Sequence, residues 1–331
     1  YVKKNGKLLK ELQKKEQVWM SHGDLVAKLP EGFEILASTD TCKIAAFENN
    51  NKRLYGIQFH AEVFHTPKGN EILKNFVFGI CKAKKDWNIK NLAKKIIKEI
   101  KKEVGKNSVI MGISGGIDSA VAATLLHKAI GNKLYCVFVD HGLIRKGEAE
   151  EVKNFFEKKL KFKHFYFVDA SEIFLERLKG VADPEEKRKI IGHAFIEVFE
   201  NKVIELGKKF SKICFLGQGT IYPDRIESAQ PTKYASKIKS HHNVTLPEKM
   251  KLKVVEPLKE FYKDEVRKLG KELKISDEIL HRHPFPGPGL AIRILGEVTD
   301  ERLRILREAD YIFIEELKNS KLYDKTWQAF A

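Results

Sequence analysis

A short run of serine, glycine and aspartate carries the strongest chemical signal in this sequence. Ser114-Gly115-Gly116-Ile117-Asp118-Ser119 directly follows an apolar stretch, 108–113, and opens a helical pattern over 117–130. Glycines let the backbone turn sharply and approach a ligand, and the amides at a helix start attract anions. With two serine hydroxyls, such a loop can cradle the phosphates of a nucleotide. The carboxylate of Asp118 is suited to holding Mg²⁺, which prefers oxygen ligands.

An alternative interpretation of this run is a glycine-rich turn whose aspartate and serine only cap the helix. The strand before it and the helix after it favour the phosphate loop instead. The spacing also differs from GxxxxGK[ST], the loop that adds a lysine to the phosphate cradle.

The elements that must position this loop alternate between strand and helix from residue 108 onward. Short apolar strands are predicted at 108–113, 133–139, 165–168 and 213–217, with helices over 117–130 and 146–160. Such alternation predicts right-handed βαβ units, a parallel sheet and an α/β fold. Ligands of these sheets bind at the carboxyl ends of the strands.

The preceding residues have a different pattern. Residues 1–84 are predicted as strands and loops followed by one helix over 70–82, with a buried strand at Leu54–Phe59. A lysine-rich helix with one apolar stripe comes next. His60 and Glu62 lie just after the predicted strand, and a lone His-x-Glu is by itself a weak signal.

Composition limits the class of protein without deciding its function. The 331 residues allow two or more domains, and no apolar run is long enough to span a membrane. Four scattered cysteines without a CxxC pair indicate the cytoplasm. The net charge of +16 suits either an acidic partner or a lysine-rich surface. The lysines are spread out with no arginine-rich run, so we expect no nucleic-acid binding.

Several further polar residues could contact substrate, each with a plainer alternative. Asp224 and Glu227 would share a helical face, and Lys259 and Lys263 would share another in a helix beginning after Pro257. Solvated surface side chains are the alternative for all four, and for Arg188. A loop with little apolar patterning could close over a triphosphate; its cationic and donor residues are Lys239, His241, His242 and Asn243.

At the phosphate loop the sequence resembles the PP-loop ATP pyrophosphatase family. This resemblance implies ATP as a substrate, cleaved between its α and β phosphates, with Val139 and Asp140 at the adenosine. Five further segments resemble the GMP synthetase family, in the same order: 183–192, 217–224, 226–228, 238–244 and 282–290. In that family the rigid segment 284–290, with Pro286, Gly287 and Gly289, lies at the xanthosine monophosphate pocket.

The GMP synthetase resemblance implies a carbon–nitrogen ligase acting in two stages. Xanthosine monophosphate is adenylated with Mg²⁺ and ATP and then aminated with glutamine-derived ammonia, giving GMP, AMP and pyrophosphate. The same resemblance implies a homodimer and a catalytic role for Lys239 in the loop over the triphosphate.

Residues 18–24 and 56–62 resemble the end of a class I glutamine amidotransferase domain. His60 and Glu62 would be two members of its Cys-His-Glu triad. The family's cysteine lies in a G-x-C-x-G turn, which neither Cys42 nor Cys81 matches. We therefore expect the nucleophile to lie outside this chain, as part of a longer protein.

The predicted organisation has three parts. Residues 1–84 form part of an α/β amidotransferase domain, residues 85–283 a parallel-sheet PP-loop domain, and residues 284–331 the start of an α+β dimerisation and substrate-binding domain. Two other functions stay open: a PP-loop enzyme that modifies tRNA, which the positive charge would suit, and a nucleotide-binding module without turnover.

Overall fold

The computed structural model describes residues 1–210, 212–229, 252–285, 287–326 and 328–331, and only the backbone of residues 227–229. The chain folds into two compact units, Tyr1–Trp87 and Asn88–Ala331. The division lies close to the predicted boundary after residue 84, while the three-domain organisation stays a prediction.

The first unit is built on a three-stranded antiparallel sheet. Strands β1 (Glu34–Ala37), β2 (Ala46–Asn49) and β3 (Leu54–Ile57) lie in that order. Helix α1 (Gly69–Lys74) continues into a π-helical turn, Asn75–Ile80, over the predicted helical stretch. The core beneath the sheet contains Leu8, Leu9, Leu12, Leu36, Phe59 and Ile72.

The strand predicted as buried at Leu54–Phe59 is a partly exposed edge strand. Among the described residues, β3 pairs only with β2, and 50% of Leu54 is exposed. An edge strand has one neighbour and leaves its other side open. The prediction of a strand here is confirmed, and the prediction of burial is wrong.

In the second unit, strands and helices alternate as predicted. In chain order they are α2 (Ile89–Val104), β4 (Ser108–Ile113), α3 (Ile117–Ile130), β5 (Leu134–Asp140), α4 (Glu148–Asn154), β6 (Phe165–Asp169), α5 (Ser171–Arg177), α6 (Pro184–Lys209), β7 (Ile213–Gly217), α7 (Tyr222–Ala229), β8 (Lys253–Val255), α8 (Lys263–Glu272), α9 (Asp277–Leu280) and α10 (Asp300–Asn319). A π-helical turn, Phe155–Lys159, extends α4, and 3₁₀ turns lie at Gly131–Lys133, Gly289–Ile292 and Tyr323–Lys325.

Among the described residues of this unit, five strands form one parallel sheet in the order β6-β5-β4-β7-β8. From β4 the chain adds β5 and β6 on one side and later β7 and β8 on the other. The direction of addition therefore reverses at β4, and in open α/β sheets the ligand crevice lies at such a reversal. The loop after β4 is the predicted phosphate loop.

Helices α2 and α3 pack in the way their residue patterns predict. Almost every side chain of α3 is apolar or small, and it is buried between the sheet and neighbouring helices. Helix α2 presents one apolar stripe, including Ile100 and Val104, to the same core and carries lysines on its other face. Its first turn is capped by Asn88, whose side chain accepts a hydrogen bond from the Asn91 amide.

Residues after 284 pack within the second unit. Leu290 and Ala291 are fully buried, and the Leu290 amide donates to the Leu143 carbonyl at 2.7 Å. The contact places the segment beyond the carboxyl end of β5. Within the described residues, no helix combines the length and the apolar composition needed to cross a bilayer.

The prediction that Lys259 and Lys263 share a helical face is wrong. Lys259 lies in a turn, because burial of Leu258 and Phe261 holds the chain in a compact loop there. Helix α8 begins at Lys263.

Candidate functional site

The predicted phosphate loop connects the carboxyl end of β4 to α3. Gly115 has a φ of +75°, a left-handed conformation that is strained for residues with a Cβ. The Ser114 and Ser119 hydroxyl oxygens lie 3.1 Å apart. Ser119 Oγ also accepts from the Ser114 amide at 3.3 Å and donates to the Gly116 carbonyl at 2.9 Å. The two serines thereby fold the loop into a closed turn.

Helix α3 begins at this loop, with Gly116 as its N-cap residue. Among the described residues, no side chain caps the helix by a hydrogen bond. The first amides of a helix have no intrahelical acceptor, and the helix adds about half a positive charge at this end. The alternative in which Asp118 or Ser119 only caps α3 is therefore wrong, and an anion is a suitable partner for these amides.

Asp118, in the first turn of α3, forms an ion pair with the first residue of α8. Its Oδ2 atom lies 2.5 Å from Lys263 Nζ, and both side chains are about one-third exposed (31% and 32%). Asp118 Oδ1 is buried and has no hydrogen-bond partner in the described part of the chain. A buried carboxylate oxygen without a partner is costly, so this atom suits a cation or a donor from a ligand. No group of three metal-binding side chains occurs among the described residues.

Arg282 holds the phosphate loop from outside and was missed as a site residue by the sequence analysis. Its Nη1 donates to the Gly115 carbonyl at 3.3 Å and to Glu148 Oε1 at 3.4 Å, and its Nη2 donates to Glu151 at 2.6 Å. Burial raises the pKa of Glu148, and the charge of Arg282 opposes that rise. The sequence signal was its place at the start of segment 282–290, one of the segments that resemble the GMP synthetase family.

The carboxyl end of β5 forms a tight turn through the predicted adenosine residues. Val139 is buried, and Asp140 Oδ1 accepts from the Gly142 amide at 2.8 Å. His141 is buried next to them, and its Nδ1 accepts from the Leu143 amide at 3.1 Å. Burial lowers the pKa of His141 to about 4, so the ring is neutral at pH 7.

The proline- and glycine-rich segment reaches the same end of β5. Gly289 has a φ of +62°, and a Cβ there would lie 2.2 Å from the Leu143 carbonyl oxygen. Only glycine permits this close approach of two backbones. Gly287 is exposed, and Pro286 lies outside the described residues.

Each of the remaining predicted site residues has a local partner, is exposed, or lies outside the residues that the structure describes. Arg188 is exposed and pairs with Glu185 in its own helix at 3.1 Å. Asp224 Oδ2 accepts from the Ile221 amide at 3.2 Å, at the start of α7, and Lys259 is exposed. The side chain of Glu227 and all of Lys239, His241, His242 and Asn243 lie outside the described residues.

In the first unit, His60 and Glu62 form the hydrogen-bonded pair that the amidotransferase resemblance implies. His60 Nδ1 lies 2.7 Å from Glu62 Oε1. A hydrogen bond from its own backbone amide, and then the bond to His60, lower the pKa of Glu62. The His60 amide donates to the Trp19 carbonyl at 2.9 Å, and Thr66 donates to the His60 carbonyl at 2.6 Å. Backbone and side chain of the histidine are thus both held.

Comparison with known proteins matches both units. Residues 1–80 match the family "Glutamine amidotransferase class-I" and residues 89–192 match "NAD synthase". The chain is 58% identical to the "GMP synthase [glutamine-hydrolyzing]" of Carboxydothermus hydrogenoformans, covering 100% of this chain and 64% of that protein. It is 57% identical to that of Aquifex aeolicus, covering 97% and 62%, and 54% identical to that of Clostridium botulinum, covering 98% and 62%.

These matches extend over nearly all of this chain, which spans a little less than two thirds of the length of the curated relatives. The order of the matched families, amidotransferase first, is also the order of the two units in the structure. In sequence, the chain belongs to the family of glutamine-hydrolysing GMP synthases.

Proposed function

We propose that the protein to which this chain belongs makes GMP from xanthosine monophosphate, with ATP as the activating substrate and glutamine as the nitrogen donor. The observation that carries this proposal is the amino terminus of α3. It combines an uncapped helix start, a closed serine–glycine turn and the Asp118–Lys263 pair at the carboxyl end of β4. The name of the curated relatives, "GMP synthase [glutamine-hydrolyzing]", supports GMP as the product and glutamine as the nitrogen donor.

In the first stage, the triphosphate of ATP binds at residues 114–119. The O2 oxygen of xanthosine monophosphate forms a bond to the α-phosphorus, and the bond between that phosphorus and the β-phosphate oxygen breaks, releasing pyrophosphate. Lys263, which pairs with Asp118 at this loop, would neutralise charge on the departing pyrophosphate, the kind of positioned charge that accelerates such transfers. The orphaned Asp118 Oδ1 fits a Mg²⁺ ion, which would supply charge neutralisation at the phosphates.

In the second stage, ammonia forms a bond to C2 of the adenylated base. AMP departs with the O2 oxygen, and a proton is lost to water, which leaves the 2-amino group of GMP. Rigid backbone near this chemistry comes from Gly289 against Leu143, which supports a binding role for segment 284–290. The roles of Lys239, His241, His242 and Asn243 over the triphosphate stay part of this proposal.

The ammonia comes from glutamine in the first unit of the same protein. His60 would take a proton from a cysteine thiol, and Glu62, 2.7 Å away, would orient the imidazole and stabilise its charge. We place the nucleophilic cysteine outside this chain, since the spacing around Cys42 and Cys81 does not form the required turn.

A homodimer in the cytoplasm completes the proposal. All four cysteines are free thiols, as in proteins of a reducing compartment. Size-exclusion chromatography with light scattering on the full-length protein tests the dimer, and a monomeric mass would contradict it.

Pyrophosphate release by the full-length protein with Mg·ATP tests the reaction. The nucleotides compared are xanthosine monophosphate, inosine monophosphate and uridine monophosphate, with bulk tRNA as a further arm. Release that needs xanthosine monophosphate, with GMP formed when ammonia is added, supports the synthetase. Release driven by tRNA would overturn the substrate, and ATP binding without any release would indicate a binding module.

A further inference from the structure

A fully buried lysine, Lys187, lies in the first turns of α6. Its exposed fraction is 0%. An ammonium has three N–H donors, and each one here meets a main-chain carbonyl. Lys187 Nζ lies 3.1 Å from the Ala291 oxygen, 2.8 Å from the Ile294 oxygen and 2.6 Å from the Gly296 oxygen. A single side chain thus holds six consecutive residues of one segment, which we call the anchored segment (residues 291–296).

The anchored segment needs such a partner because its backbone is irregular. After the 3₁₀ turn Gly289–Ile292 it continues as turns and bends, yet Ala291 and Ile294 are buried in the core. Buried carbonyls outside regular helices and sheets require a donor from elsewhere in the fold. Lys187 satisfies two buried carbonyls, those of Ala291 and Ile294, and the partly buried carbonyl of Gly296, and so fixes the path of the segment relative to α6.

This arrangement connects α6 to a region that the proposed function assigns to the substrate. The anchored segment directly follows the proline- and glycine-rich residues 284–290. Three hydrogen bonds from Lys187 therefore fix α6 to the residues that directly continue segment 284–290.

We infer that Lys187 is a positioning residue for the acceptor nucleotide: by holding residues 291–296 against α6, it fixes the position of segment 284–290. The inference rests on the proposed function, because that function gives segment 284–290 a role in binding a purine nucleoside monophosphate. Lys187 itself is enclosed and does not contact the substrate.

Lys187→Met tests the inference, since methionine keeps a similar length without the three donors. Lys189→Met is the matched control, because Lys189 lies in the same helix and is exposed. In the full-length protein we expect Lys187→Met to raise KM for xanthosine monophosphate by about tenfold or more. KM for ATP should stay within about twofold of the wild-type value. Lys189→Met should leave both constants unchanged.

Lys187→Gln covers the case in which the methionine variant does not fold. Its amide retains two donors, so we expect a KM for xanthosine monophosphate between those of the wild type and Lys187→Met. If only the glutamine variant is soluble, we expect its KM for xanthosine monophosphate to rise above the wild-type value while its KM for ATP does not. Equal increases in the two KM values would overturn the inference and indicate a general structural role. Unchanged constants would overturn it as well.

Hydrogen exchange gives a readout that does not depend on the reaction. In the glutamine and methionine variants, peptides covering 284–297 should exchange faster, whereas peptides covering the phosphate loop should keep their wild-type protection. If the wild-type protein releases no pyrophosphate with xanthosine monophosphate, the proposed function fails, while selective exchange at 284–297 would still establish the anchoring. Uniform exchange across the second unit would overturn it.

Discussion

The substitution Gly115→Ala tests the phosphate loop by adding one methyl group. The left-handed backbone at this residue, with a φ of +75°, costs a residue with a Cβ about 1–2 kcal/mol. The new carbon would lie 2.9 Å from Val152 Cγ2. That atom ends a side chain, so a small movement relieves the contact. Most of the cost of the substitution therefore comes from the left-handed backbone conformation. We expect a loss of about 1–2 kcal/mol in the free energy of unfolding.

The effect on ATP binding follows if the loop relieves this strain by leaving its native conformation. The apparent affinity then falls with the fraction of loops still able to bind. A cost of about 1–2 kcal/mol corresponds to roughly a five- to thirtyfold change in an equilibrium constant. We therefore expect KM for ATP to rise within that range, while the amides of the first turn of α3 are displaced from the phosphates.

Gly147→Ala is the matched control for this strain. Gly147, at the N-cap of α4, has a φ of +78°, and its added Cβ would meet no heavy atom of the described residues within 4 Å. Urea unfolding and pyrophosphate release by the full-length protein are measured for both variants. Both should lose similar stability, and only Gly115→Ala should raise KM for ATP. If Gly115→Ala loses the expected stability but has the KM of Gly147→Ala, the loop does not bind phosphate as argued.

Three further predictions concern Lys263, His141 and Glu62. Lys263→Met should lower the rate of pyrophosphate release by roughly 10²-fold or more, as expected for a lost charge at a transition-state anion. Lys268→Met, on the exposed side of α8, should keep the wild-type rate. Equal rates for the two variants would refute the role of Lys263 in charge neutralisation. Burial lowers the pKa of His141 from 6.5 to about 4, so the unfolded state binds the proton more tightly than the folded state. The free energy of unfolding should therefore fall as the pH decreases from 6.5 to 4, by up to about 3 kcal/mol. Urea unfolding at pH 7 and pH 5 should detect this loss in the wild type and a smaller one in His141→Asn; equal losses would contradict it. Glu62→Gln should abolish glutamine-dependent GMP formation and leave ammonia-dependent formation intact, whereas loss of both would contradict the separate role of the first unit.

Local patterns determined the phosphate loop and the elements on both sides of it. The strand Ser108–Ile113 and the helix Ile117–Ile130 have the bounds predicted from apolar spacing. Both elements bury nearly every side chain, so hydrophobicity and periodicity alone identify them. His60 and Glu62 are likewise two residues apart, and their hydrogen bond follows from that proximity.

Only the tertiary structure decided which side chains meet when they are far apart in the sequence. Lys263 reaches Asp118 across 145 residues, and Arg282 reaches Gly115 across 167. Most lysines are solvated, and local spacing does not distinguish Lys259, which is exposed, from Lys263, which forms the ion pair. Burial of Lys187 against carbonyls more than a hundred residues away is of the same kind. Backbone pattern along the chain thus determined the loop and its fold, whereas the packing of distant segments decided which charges meet there.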